Sequence, residues 1–284
     1  MIPRMNIIAW SGNAPWADMK QVEQDLIISR AIIELFADPS LAEQLRFRGG
    51  TALHKLHLPR PLRYSDDIDL VRTRAEPIGP LLDRIRQRME PWLGRAAFDQ
   101  SDTAPKLRFR TLAEDGSAIR LKIEINTREV NAFDPPATIH YEVENPWFAG
   151  AADISTFSRE ELLATKLRAL LQRERGRDLF DLFHSLRAFE SLNTGRLVQC
   201  LGFYLDAAGT PISRAQAEQR MFAKLAAPRF IADIRPLLSP EQAATLTAET
   251  TREAFAIVFD KLIALIPGEP WAKTSTMRAR FAIP

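Results

Sequence analysis

The hydrophobic period of this chain changes along its length, and that change constrains the fold more than any single residue does. Leu107 and Phe109 alternate with Lys106, Arg108 and Arg110; after a turn at Glu114-Asp115-Gly116, Leu121, Ile123 and Ile125 alternate with Arg120, Lys122 and Glu124. Successive side chains of a strand point to opposite sides, so this is a β-hairpin with one apolar and one charged face. From Ser158 onward the period is helical: Leu162, Leu163, Leu167, Leu170 and Leu171 follow a possible Ser158/Glu161 capping box. The expected organisation is α+β, with a mixed α/β domain over residues 1–152 and a helical domain over 153–284. A chain of 284 residues with 46% apolar content can fill two such cores.

Other segments fit this division. Asp18 to Phe36 has the apolar spacing of an amphipathic helix. A second helix starts near Gly49-Gly50 and is stopped by Pro59 and Pro61. Tyr64 to Val71 reads as a strand, Ile78 to Trp92 as a helix, and Thr138 to Val143 as a further strand. In the second half, helices are expected over 177–189, 194–205, 214–225 and 240–265, with an irregular tail after Pro267.

The formal net charge is only +2, so a nucleic-acid partner would need a local basic patch. Cys200 is the sole cysteine and lies in the apolar run LVQCLGFYL; it reads as a core residue, and no internal disulfide can form. The sequence shows neither a secretory leader nor an apolar run of membrane-spanning length, so a cytoplasmic protein with no membrane partner is expected. His54 and His57 are three apart but have no cysteine or third histidine beside them, which argues against zinc.

The chemistry is concentrated in FRGGTALHKLHLPRPLRYSDDIDL. On a strand Asp67 and Asp69 share one face while Ile68 and Leu70 point behind. Two adjacent carboxylates repel unless a cation joins them, and an all-oxygen donor set suits Mg²⁺ or Mn²⁺ with a substrate phosphate. Gly49 and Gly50, followed by Thr51 at a helix start, form a phosphate-sized site. Ser65 shares the face of Asp67 on the expected strand and could bond a phosphate oxygen. Asp-x-Asp alone also fits a polar strand edge. Glu124 is a candidate third acid, although a surface pair with a cross-strand lysine or arginine explains it as well. These features suggest a metal-dependent enzyme acting on a nucleoside triphosphate (NTP).

A second stretch, ELLATKLRALLQRERGRDLFDLF, places Lys166, Arg173 and Arg177 close to one helix face. Such a face could hold triphosphate or a nucleic-acid backbone, or simply be solvated. Asp178 and Asp181 sit among leucines and phenylalanines and need a basic partner there.

GGTAL, RYSDDIDLV, LKIEI and the Lys166-containing stretch, in this order, resemble the AbiEii-type nucleotidyltransferase toxins of type IV-like toxin–antitoxin systems, the group that includes the MenT toxins. The resemblance covers roughly residues 20 to 190. It implies a polymerase β-like nucleotidyltransferase domain with a mixed sheet, followed by a helical C-terminal domain. Gly50 stands where the wider superfamily often has serine, and the gap from Gly50 to Asp67 is long for that superfamily. The resemblance implies that Asp67 and Asp69 bind metal and that Ser65 lies near the triphosphate. It also implies that Lys166 is the required lysine and that Asp178 or Asp181 is the required late aspartate, which competes with Glu124 as third acid.

The resemblance further implies nucleotide transfer from an NTP to the 3′ end of tRNA, a block to translation, and a cognate antitoxin. On that reading Lys166 and Arg173 neutralise the triphosphate. Lys106, Arg108, Arg110, Arg168, Arg175 and Arg177 grip the RNA. Transfer to a protein or small molecule, and a non-catalytic nucleotide-binding regulator, are the alternatives.

Overall fold

Asp18 accepts a hydrogen bond from the Lys20 N–H and so starts helix α2 (Met19–Phe36), after a short α1 (Arg4–Trp10). Leu26, Ile28, Ile32 and Leu35 of α2 are completely buried, and α2 packs against the sheet. The computed structural model describes residues 1–101, 104–227 and 230–283. The chain divides into two compact units, Met1–Ser158 and Arg159–Pro284.

The first unit is built on a seven-stranded mixed sheet. Its strands are β1 (Leu45–Arg48), β2 (Asp67–Arg72), β3 (Ala97–Asp99), β4 (Lys106–Leu112), β5 (Ala118–Asn126), β6 (Ala137–Asn145) and β7 (Phe148–Thr156). Their order is β3-β4-β5-β2-β1-β7-β6. Strands β2 and β5 run parallel, whereas β1 is antiparallel to β2 and parallel to β7. Phe47, Ile68, Leu70, Leu107, Phe109, Ile123 and Ile125 form the apolar side of the central strands. Helices α3 (Pro39–Gln44), α4 (Gly49–Ala52) and α5 (Ile78–Leu93) complete the unit, and α4 continues as a π-helical turn, Leu53–His57.

The strand expected from Tyr64 begins only at Asp67. Arg63 and Ser65 instead lie against the start of α4, where the Ser65 hydroxyl meets that of Thr51 at 2.9 Å. The break between the units falls after Ser158 and not at 153, because β7 stays paired with β6 through Thr156.

The second unit is helical: α6 (Arg159–Gln172), α7 (Gly176–Ala188), α8 (Thr194–Ala207), α9 (Arg214–Ala226), α10 (Pro240–Thr245), α11 (Ala248–Lys261) and α12 (Thr274–Arg280). Helix α6 packs on α7 and α8, and α11 on α7. Phe222, Phe255 and Phe259 meet with ring centroids 5.3–5.6 Å apart. Cys200 is buried, as its apolar run implied. The helix expected over 240–265 is broken at Leu246-Thr247. Thr247 forms a reciprocal capping box with Thr250, which starts α11 afresh. The expected irregular tail contains α12.

Candidate active site

Strand pairing sets two rows of charged residues across one face of the first unit's sheet. Arg48 of β1 is opposite Asp69 of β2, Asp69 is opposite Glu124 of β5, and Glu124 is opposite Lys106 of β4. Two residues along, Asp67, Lys122 and Arg108 are register partners in the same way. Alternation keeps Ile68, Leu70, Ile123 and Ile125 on the buried face. The register thus places Glu124 beside Asp69.

The charges of this face are interlocked. The Lys122 ammonium lies 2.9 Å from Asp67 Oδ2 and 3.2 Å from Glu124 Oε2, and Lys106 lies 3.8 Å from the same Glu124 oxygen. Partial burial pushes the Asp67 carboxyl up to about 6, repulsion from Asp66 and Asp69 adds to the rise, and Lys122 offsets only part of it. Burial favours neutral Lys122, but hydrogen bonding and attraction to Asp67 and Glu124 outweigh it and hold its pKa above the ordinary value. Arg48 reaches away to Glu129 at 2.6 Å.

The glycine pair closes this face at the end of β1. Gly49 has φ +85°, and a Cβ there would stand 2.2 Å from Asp69 Oδ2. A Cβ on Gly50 would stand 2.5 Å from Arg63 Nη2 and 3.0 Å from Ser65 Oγ. The buried Thr51 hydroxyl donates to the Asp67 carbonyl at 2.5 Å. Gly49, Gly50, Thr51, Ser65, Asp67 and Asp69 therefore belong to one local assembly although up to 20 positions separate them in sequence.

Arg63 belongs to that assembly and was not among the expected site residues. It is 2% exposed and donates to the Tyr64 carbonyl at 3.0 Å. The stretch PRPLR that contains it carries no period, so nothing in the sequence singled it out. Arg48 was missed for a different reason: only the β1–β2 register puts it beside Asp69.

The other expected residues divide between the two units. In the second unit Lys166, 6% exposed, is 2.9 Å from Asp181 and 3.9 Å from Asp178. Arg173 grips Asp178 with two bonds, Nε to Oδ2 at 2.8 Å and Nη2 to Oδ1 at 2.9 Å. Both aspartates are buried, so the basic partners that their apolar neighbours demanded are present. Arg168 lies over the Tyr204 ring at 5.1 Å, while Arg175 is exposed at the start of α7 and Arg177 is half-buried in its first turn. In the first unit Arg108 is exposed and pairs with Asp99 at 2.7 Å, and Arg110 is exposed on β4.

Two carboxylates with hydroxyl oxygens nearby are a donor set that fits a hard divalent cation whose other ligands come from substrate and water. Among the described residues no three histidine, cysteine or acidic side chains gather into a metal-holding group. No helix of the described residues is long and apolar enough to cross a membrane.

A family model described as nucleotidyl transferase AbiEii toxin, type IV toxin–antitoxin system, matches residues 30–278. Among solved structures, the fold is similar to that of MenT4, a nucleotidyltransferase toxin from Mycobacterium tuberculosis H37Rv. That match has a TM-score of 0.65 and 16% identity, and covers 100% of this chain and 99% of the other. JHP933 from Helicobacter pylori is also similar, with a TM-score of 0.51 and 18% identity over 93% of this chain and 99% of its own. At such identities the likeness is one of fold. The comparison with curated proteins returned no match.

Proposed function

The chain belongs to the AbiEii nucleotidyltransferase toxin family, and we propose that it transfers a nucleotide from an NTP to the 3′ end of tRNA and so blocks translation. The observation that carries this reading is the placement of Asp67 and Asp69 on one strand face with the Gly49-Gly50 turn pressed against Asp69. Asp67 and Asp69 would hold Mg²⁺ or Mn²⁺. Such a cation, when bound, supplies positive charge to the triphosphate and the acceptor oxygen.

The other residues have roles that follow from their chemistry. The Ser65 hydroxyl lies beside the glycine turn, supported from behind by the buried Thr51, and the Arg63 guanidinium places positive charge there, which together suit a phosphate group. Lys122 neutralises Asp67 and Glu124 and must share or yield Asp67 when a cation arrives. Glu124 is our third acid, acting by holding Lys122. In the reaction the acceptor hydroxyl oxygen bonds to the α-phosphorus and the α–β phosphoanhydride bond breaks. Pyrophosphate leaves with the bonding pair, and the hydroxyl proton is released. The exposed cations Arg108, Arg110 and Arg175, with Lys106, Arg168 and Arg177, are proposed RNA contacts. We assign Lys166, Arg173, Asp178 and Asp181 to the same activity on the family resemblance.

The family is that of toxins in toxin–antitoxin systems, so a cognate antitoxin is expected to restrain this activity. The deciding test is incubation of the protein and of Asp67→Ala with each labelled NTP, Mg²⁺ and total tRNA. Label should enter tRNA with the wild type alone. Label in a protein or a small molecule instead would redirect the substrate. No label with any NTP would overturn the reading.

A further inference from the structure

A groove in the helical unit gathers cations and aromatic rings without a carboxylate among the described residues that line it. It has a volume of about 510 Å³ and is bounded by the end of α9, residues 230–235 and the first turn of α11. Lys224, Arg235 and Arg252 line it, together with Phe230 and Phe281.

Three features make the groove electropositive. Lys224 is 6% exposed and donates to the Arg173 carbonyl at 2.9 Å; burial, with repulsion from Arg220, holds its pKa below the ordinary value against the attraction of Glu174 and Asp178, neither of which lines the groove. Arg235 is fixed by its bond to the Leu246 carbonyl at 3.1 Å. Arg252 has no hydrogen bond or ion pair among the described residues. Arg252 also borders a neighbouring groove, and the carboxylates Glu249, Glu253 and Asp260 line that one and not this. The N-terminal turn of α11 adds to this: Thr247, Ala248 and Thr251 all border the groove, and a helix N-terminus carries partial positive charge.

We propose that this groove binds a nucleoside phosphate, with the phosphate at Lys224, Arg235, Arg252 and the start of α11, and the base against the apolar walls at Phe230 and Phe281. Cations alone would suit any anion. The rings beside them favour a ligand with a flat apolar face as well as a phosphate, and the volume lies in the range of small-ligand pockets. The ligand is either a free nucleotide or one nucleotide unit of an RNA chain. The groove belongs to the second unit, so the inference does not depend on the carboxylate rows of the first.

The full-length protein is irradiated with 8-azido-AMP in EDTA, which removes divalent cations, and the labelled peptides are mapped. Label is expected on peptides containing Phe230 or Phe281. Arg252→Glu and Arg235→Glu should each reduce it by about tenfold or more, the scale of one lost charge-assisted bond. Thermal melts check folding, and Arg252→Gln replaces Arg252→Glu if that variant melts early. Competition identifies the source. A short oligoadenylate displacing label at lower concentration than AMP marks an RNA site, and equal or better displacement by AMP marks a free-nucleotide site. Label absent from both peptides, or unchanged in every charge variant, overturns the proposal.

Discussion

Gly49 and Asp69 are in direct contact: the glycine Cα faces the carboxylate so closely that a methyl group would stand 2.2 Å from Oδ2. The backbone there is also left-handed, at φ +85°, which costs a residue with a side chain about 1–2 kcal/mol. Gly49→Ala must therefore both strain the turn and displace Asp69. We expect a loss of about 1–2 kcal/mol in a denaturant melt and a fall in nucleotide incorporation of at least about tenfold. Gly79→Ala is the control, since nothing lies within 4 Å of a Cβ there. It should leave incorporation unchanged, and equal activity of the two variants would remove Asp69 from the site.

Lys122 spans Asp67 and Glu124, so its ammonium occupies the ground a divalent cation would take. Lys122→Met should tighten Mn²⁺ binding, because two partly buried carboxylates lose their neutralising partner and repel each other. The same variant should be less stable in EDTA by about 1 kcal/mol, the scale of a partly exposed ion pair, and should regain that stability when Mn²⁺ is added. Titration calorimetry and melts with and without the metal read both effects. Weaker Mn²⁺ binding in the variant would argue that Lys122 does not compete at this position.

Much of this arrangement was legible in the sequence, and the rest was not, for definable reasons. The alternation around Leu107, Phe109, Leu121, Ile123 and Ile125 fixed β4 and β5, because period two has no competing explanation over so many residues. The Asp67-x-Asp69 spacing implied a shared face for the same reason. Which strands flank that face depends on sheet order, a long-range property, so Arg48 opposite Asp69 had no local signal. Strand β7 was missed because FAGAADIST is rich in Ala and Gly and poor in the branched residues that announce strands. Ser65 illustrates a local rule overridden: alternation placed it on β2, whereas its bond with Thr51 draws it out of the sheet.

Lys166 and Asp181 form a buried pair at 2.9 Å, and Asp178 is shared between Lys166 and Arg173. Removing one member leaves an uncompensated buried charge, so Asp181→Asn and Lys166→Met should each cost about 3–5 kcal/mol. Loss of activity in either would then be ambiguous. The double variant Lys166→Met/Asp181→Leu removes both charges and should recover most of the stability. We expect it to remain inactive in nucleotide incorporation, as the family resemblance implies for Lys166. Recovery of activity along with stability would assign the cluster to holding α6 against α7.

His184 packs against the rings of Phe180 and Phe183, with centroids 4.1 and 5.0 Å away. Burial pushes its pKa down to about 4, and Arg187 pushes it further, while Asp181 pulls the other way; Arg187 itself is paired with Glu253. In the unfolded chain the imidazole titrates near the ordinary value of about 6.5. As pH falls through the window from about 6.5 to about 4, the unfolded state takes up a proton that the folded state refuses. This group thus costs no stability above the window, costs progressively more within it, and costs its full amount below. His184→Gln removes the proton uptake, so the gap in melting temperature between variant and wild type should shift in the variant's favour on going from neutral pH toward about pH 4.5. A gap that is flat over that range would show that His184 protonates equally in both states.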